Sequence, residues 1–151
     1  MNKIDRFEGE FAFLSNFFEA EVEWEGIKYP TNEHAFQAAK TLNPAKRLEI
    51  AALATPGKAK RAGRSVVLRH DWEKVKYNIM LEVVTAKFHQ HEDLAEKLLA
   101  TENAELIEGN WWNDTTWGVC NGTGSNWLGR ILMTVRAQLW LEKELVKDLN
   151  E

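Results

Sequence analysis

From Asp71 onward, apolar residues recur at intervals of three and four: Trp72, Val75, Ile79, Val83 and Ala86, widened by Met80, Val84 and Phe88. This spacing predicts a long central helix with a broad buried stripe. Leu128, Leu132, Val135 and Leu139 mark the buried side of a C-terminal helix, with Ser125 placed to cap it. A shorter helix is expected around Leu94 to Leu99. Asn43 before Pro44 and Thr55 before Pro56 each set a capping side chain ahead of proline at a first helical position, so two short helices begin there. The opening 29 residues read as extended instead. "AEVEWEGIKY" alternates Val22, Trp24 and Ile27 or Tyr29 across a turn at Glu25-Gly26, a short hairpin, and "ELIEG" is a further extended segment. Repeats, low-complexity tracts and linkers rich in Pro, Gly or Ser are absent. The expectation is a mainly helical α+β fold, one domain over residues 1–151, with a small N-terminal hairpin.

A chain of 151 residues is long enough to bury its own core. Its formal net charge of -4 gives no global attraction to nucleic acid or membrane, so an anionic ligand has to be met locally. With Cys120 its only cysteine, no internal disulfide forms, and with neither a long apolar run nor a leader pattern the chain reads as cytoplasmic. "GTGSNWLG" puts Trp127 where a dinucleotide fingerprint needs its third glycine, and no GK[ST] ending exists. His34, His70, His89 and His91 lack ligand spacing, so no metal is expected, and Cys120 reads as a buried thiol. The chain carries 7 Trp, several in polar company within "GNWWNDTTWG", where an apolar plate beside hydrogen-bonding groups suits a flat heterocycle.

"YPTNEHAFQAAK" is the most informative stretch. Pro30 followed by Thr31 and Asn32 starts a helix, and at about 100° per residue Glu33, Gln37 and Lys40 fall on one face. Ala35, Ala39 and Leu42 point the opposite way. Two readings of that face are open: a solvated polar surface with Glu33 complementing the helix dipole, or a face that presents a carboxylate and an amine to a substrate.

Taken with "FLSNFF", "AGR", "DWEKVKYNIM", "KF", "LIEGNWWNDTTWG" and "GSNWLGRILMTVR", this stretch resembles the NADAR family, the YbiA-like N-glycosidases, in order and spacing over nearly the whole chain. The resemblance implies a single, mainly helical α+β domain that hydrolyses N-glycosidic bonds to ribose without a cofactor. Family substrates include phosphorylated ribosylamino-pyrimidine intermediates of riboflavin biosynthesis and ADP-ribose attached to guanine in nucleic acid. A pocket that binds ADP-ribose-like ligands without turnover is the third alternative. The family match carries catalytic roles to Glu33, Lys40, Glu108 and Asp114, and substrate contacts to Asn16, Arg64, Trp72, Lys87, Trp112, Trp117, Gly118 and Asn126. Trp111 and Trp112 replace a run that is commonly small and proline-containing in the family, so substrate preference is expected to differ here.

The residue types suit the chemistry. Breaking a C1′–N bond builds positive charge on the sugar and negative charge on the departing base. Glu33 is the candidate sugar stabiliser, and Asp114, set among tryptophans, the candidate proton donor. Alternatively, an unprotonated lysine exchanges with the opened glycosylamine to form a Schiff base; Lys40 is the first choice and Lys87 the second. "GKAKRAGRSVVLR" supplies Lys58, Lys60, Arg61, Arg64 and Arg69 for phosphate, with Arg64 the leading contact. Trp72 is either a stacking plate or a staple at the start of the long helix, and Asn16 offers an amide to a base edge or ribose hydroxyl, or closes a turn.

Overall fold

The computed structural model describes residues 2–151. In chain order the elements are β1 (Lys3–Ile4), a 3₁₀ helix (Gly9–Leu14), β2 (Glu19–Trp24), β3 (Ile27–Thr31), α1 (Asn32–Ala38), α2 (Pro44–Ala51), α3 (Pro56–Gly63), α4 (Trp72–Gln90), α5 (Glu92–Leu99), β4 (Glu105–Leu106), β5 (Gly109–Asn110), β6 (Val119–Cys120) and α6 (Trp127–Leu149). Helix far exceeds strand, an α+β fold. The described residues gather into two compact units, one over 16–90 and one combining 2–15 with 91–151.

In the unit over 16–90, β2 and β3 form the expected antiparallel hairpin, pairing Val22 with Tyr29 and Trp24 with Ile27. Glu25 and Gly26 both take positive φ, the two-residue turn whose twist matches the strands it joins. Alternation buries Ala20, Val22 and Trp24 and exposes the three glutamates between them. β3 runs directly into α1, where Thr31 accepts a hydrogen bond from the His34 backbone N–H. Asn43 and Thr55 cap α2 and α3 as their sequences predict, each ahead of a first-turn proline. Along α4 the predicted stripe is buried at Trp72, Ile79, Met80, Val83, Val84 and Phe88, and Lys87 is buried with it.

α1 departs from expectation twice. It ends at Ala38, so Lys40 lies in the following turn and not on a helical face shared with Glu33. The tightening is visible in the backbone, where Lys40 N–H donates to the Gln37 carbonyl three residues back at 3.2 Å. All seven residues of α1 are buried, so no solvated polar face exists. The cause is packing against α2, α3, α4, β2 and β3 together.

In the unit combining 2–15 with 91–151, β1 pairs with β4 and β5 with β6, both in parallel. Residues 9–14, expected to be extended, form a 3₁₀ helix entered through Gly9 at φ 57°. Leu128, Ile131, Leu132, Val135 and Leu139 bury one side of α6, which packs on α5 and β4. Ser125 does not cap that helix. The capping position falls to Asn126 in the left-handed conformation, while the Ser125 N–H is drawn to the Thr115 carbonyl at 2.8 Å. Among the described residues no helix is long and apolar enough to cross a membrane.

Candidate functional site

Six of the twelve predicted site residues belong to the unit over 16–90. Glu33 sits in the first turn of α1, 7% exposed, with its backbone N–H donating to the Asn16 carbonyl at 3.0 Å. Gln37, one turn on, donates from Nε2 to the Glu33 Oε1 at 2.8 Å. A helix buried on every side is ordinarily apolar, yet this one carries Asn32, Glu33, His34 and Gln37. His34 is accounted for structurally: Nε2 lies 2.9 Å from the Leu53 carbonyl, an acceptor only, so Nε2 holds the proton and Nδ1 accepts from the Thr31 hydroxyl at 2.8 Å. Burial pushes the His34 imidazole below its ordinary range, in keeping with that neutral form.

Lys40 is half-buried, its Nζ 6.0 Å from the centre of the Trp72 ring. Burial lowers its amine from the usual lysine range; Glu33 opposes the shift, while Arg64, Lys60 and Lys76 add to it. A carboxylate and three further cations are therefore felt at one amine. Arg64 caps the C-terminus of α3 and is exposed, as a phosphate contact would have to be. Arg69 is committed elsewhere: its guanidinium grips Asp71 at 2.7 and 3.2 Å. Trp72 is 6% exposed and packs on Phe36 at 5.1 Å, so it staples α4 to α1, and its ring stands beside the Lys40 ammonium. Asn16 is buried, its amide N–H₂ directed to the Met80 sulfur at 3.4 Å.

Lys87 is 1% exposed, its Nζ 5.5 Å from the Phe18 ring centre and 5.3 Å from that of Phe88. Burial pushes its pKa down to about 7, so a large part of this amine is unprotonated at neutral pH. Lys76 was not singled out by sequence. Its signal was available, since it lies four residues after Trp72 and four before Met80, with Glu73 three residues back as its ion-pair partner at 2.6 Å.

The other six belong to the unit combining 2–15 with 91–151. Asn126 spends both ends of its amide on backbone, Oδ1 accepting from the Glu108 N–H at 3.0 Å and Nδ2 donating to the Leu106 carbonyl at 2.9 Å. It therefore positions Glu108. Gly118 does the same by absence of bulk, since a Cβ there would strike the Glu108 carbonyl and carboxylate and lie 2.7 Å from the Asn110 amide nitrogen. Asp114 Oδ1 accepts from the Thr116 and Trp117 N–H groups at 3.1 and 2.9 Å, which closes the turn and leaves only Oδ2 outside these bonds. Trp117 is half-buried, edge-on to Trp127 at 5.4 Å. Trp111 and Trp112 stand edge to face at 5.6 Å, 82% and 45% exposed, on a loop tied by Asn110 to the Asp114 backbone. No group of three metal-ligating side chains occurs among the described residues.

A mainly helical α+β fold with a buried carboxylate, Glu33, and amines of lowered pKa has the elements of a hydrolase or an imine-forming enzyme. The profile of the NADAR domain matches residues 5–140, and the chain belongs to the NADAR family. The N-glycosidase YbiA of Shigella flexneri serotype 5b is 43% identical over 137 residues, covering 89% of this chain and 85% of that protein. A riboflavin biosynthesis protein of Vibrio vulnificus is 36% identical over 131 residues, 85% of this chain but 35% of that longer protein. The NMR structure of Escherichia coli YbiA superimposes with a TM-score of 0.84 at 41% identity, covering 95% of this chain and 89% of that one.

Proposed function

We infer that this chain is an N-glycosidase that hydrolyses the bond between ribose and a base or amine, acting on a small phosphorylated ribosylamino-pyrimidine of the riboflavin pathway. The observation that carries the reading is Glu33, a buried carboxylate on a polar helix, electrostatically coupled to the amine of Lys40. The names and identities of the YbiA and riboflavin relatives support it. Of the cations felt at Lys40, Lys60 and Arg64 suit a phosphate on the ribose, whereas Lys76 is held by Glu73 at 2.6 Å. Guanine-linked ADP-ribose in nucleic acid is the alternative substrate; the net charge of -4 disfavours it, because long nucleic acid is held through many phosphate contacts. Binding of an ADP-ribose-like ligand without turnover is disfavoured by the retained carboxylates. A cytoplasmic setting, where thiols stay reduced, suits the single buried Cys120.

In the direct route Glu33 steadies the positive charge that develops on the sugar while the departing nitrogen takes up a proton. In the covalent route the ring oxygen leaves C1′ and an iminium to the base nitrogen forms. A neutral lysine amine adds to C1′, the base amine departs with a proton, and water then hydrolyses the lysine imine, releasing the sugar and restoring the amine. Lys40 is the amine proposed for this step because Glu33 and the cations act on it. Lys87 is the second candidate, favoured by its pKa of about 7. Borohydride added during turnover of the pyrimidine substrate tests this: an adduct in the Lys40 peptide, lost with activity in Lys40→Arg, is expected. An adduct at Lys87 would move the covalent step to α4, and no adduct with an active Lys40→Arg would leave the direct route alone.

A further inference from the structure

We propose that Gln37 is the positioning residue for Glu33 and that Gly63 is the seat that holds Gln37 in place, an inference resting on Glu33 as the carboxylate that meets the sugar. Glu33 and Gln37 are one turn apart on α1, 7% and 5% exposed, and the Gln37 Nε2 donates to the Glu33 Oε1 at 2.8 Å. Only this orientation of the amide attracts an ionised carboxylate; turned over, the amide oxygen would oppose it. What keeps the amide from withdrawing is α3. Gly63 closes on the amide so tightly that a Cβ at that position would strike the Gln37 oxygen and lie 2.7 Å from its Cδ. The Gln37 Oε1 is buried with no hydrogen-bond partner among the described residues, a cost that keeping a glutamine here imposes and that a methionine or leucine would avoid. Gly63 takes no positive φ, so its smallness serves close approach and not backbone strain. Arg64 follows immediately, so the contact that seats Gln37 also sets where α3 leaves Arg64.

The amide thus fixes the plane of the Glu33 carboxylate before substrate arrives, the form of preorganisation that a charge-stabilising group requires. Gln37→Met keeps length and helix propensity and removes the hydrogen bond. The expected result is kcat lowered roughly 10- to 100-fold, the loss that matches a hydrogen bond to an ionised group, with KM within about threefold and the melting temperature maintained or raised. Gln37→Leu serves if the methionine variant does not fold. Gly63→Ala should destabilise the native chain strongly and a Gln37→Ala chain weakly, because the coupling between neighbours appears as non-additivity. A folded Gln37→Met or Gln37→Leu with native kcat, or failure of both to fold, overturns the inference, as do equal costs of Gly63→Ala in the two backgrounds. Glu33→Gln separates the levels. If it remains active, both the Glu33 reading and this inference fall; if it is inactive while Gln37→Met retains native kcat, only the inference falls.

Discussion

Burying an amine as completely as Lys87 is buried costs stability wherever that amine must carry a charge. Its folded pKa of about 7 lies below the unfolded value of about 10.4. Between those two values the unfolded chain holds a proton that the folded chain does not, so stability rises with pH across that window by about 1.4 kcal/mol per unit. Lys87→Met should therefore stabilise the protein, and the gain should be larger at pH 6 than at pH 9 by about 2–3 kcal/mol. Urea unfolding at the two pH values checks this, and an equal gain at both would show that the amine does not titrate near 7. The sequence singles out Lys87 as a substrate contact and as the second Schiff-base amine but does not show how completely it is buried. Its full burial depends on Phe18, distant in sequence, closing over it, and periodicity along α4 carries no information about that.

At the scale of elements, the parts read correctly are those governed by near neighbours. The hairpin turn at Glu25-Gly26 and the caps at Asn43 and Thr55 are local chemistry, and each is observed. α1 departs from its sequence pattern at its end and in its surroundings because both are tertiary: α2, α3, α4, β2 and β3 enclose it, and its backbone tightens after Gln37. The parallel pairs β1 with β4 and β5 with β6 left no alternation to detect in strands of two residues. The start of α6 differs from the expected Ser125 cap because the Asn126 side chain serves the Leu106 and Glu108 backbone, a long-range use that a capping rule does not foresee. The same segment yields a prediction. Gly118→Ala forces a methyl into the Glu108 carbonyl and carboxylate, so it should cost about 1–3 kcal/mol of stability and reduce turnover by displacing Glu108. A thermal melt with a parallel activity assay checks both, and a native melt would mean that the segment shifts aside without strain.

For the whole molecule, family membership and the α+β fold followed from motifs spread along the chain, since the order of seven short blocks survives where no single block is decisive. The roles given to Glu33 and Asp114 rest on the family resemblance and not on periodicity, because a helix wheel represents a buried face and a solvated one identically. Glu33 is the residue on which the account turns. Glu33→Gln preserves shape and an acceptor for Gln37 while removing the charge, so it should fold as the native chain does. The most direct measurement is the release of ribose phosphate from the phosphorylated ribosylamino-pyrimidine, followed by mass spectrometry for both proteins. The native chain is expected to cleave this substrate, and Glu33→Gln at a rate at least about 100-fold lower, the scale of losing one charge-stabilising group. Cleavage by the folded variant at the native rate, or none by the native chain, would contradict this expectation.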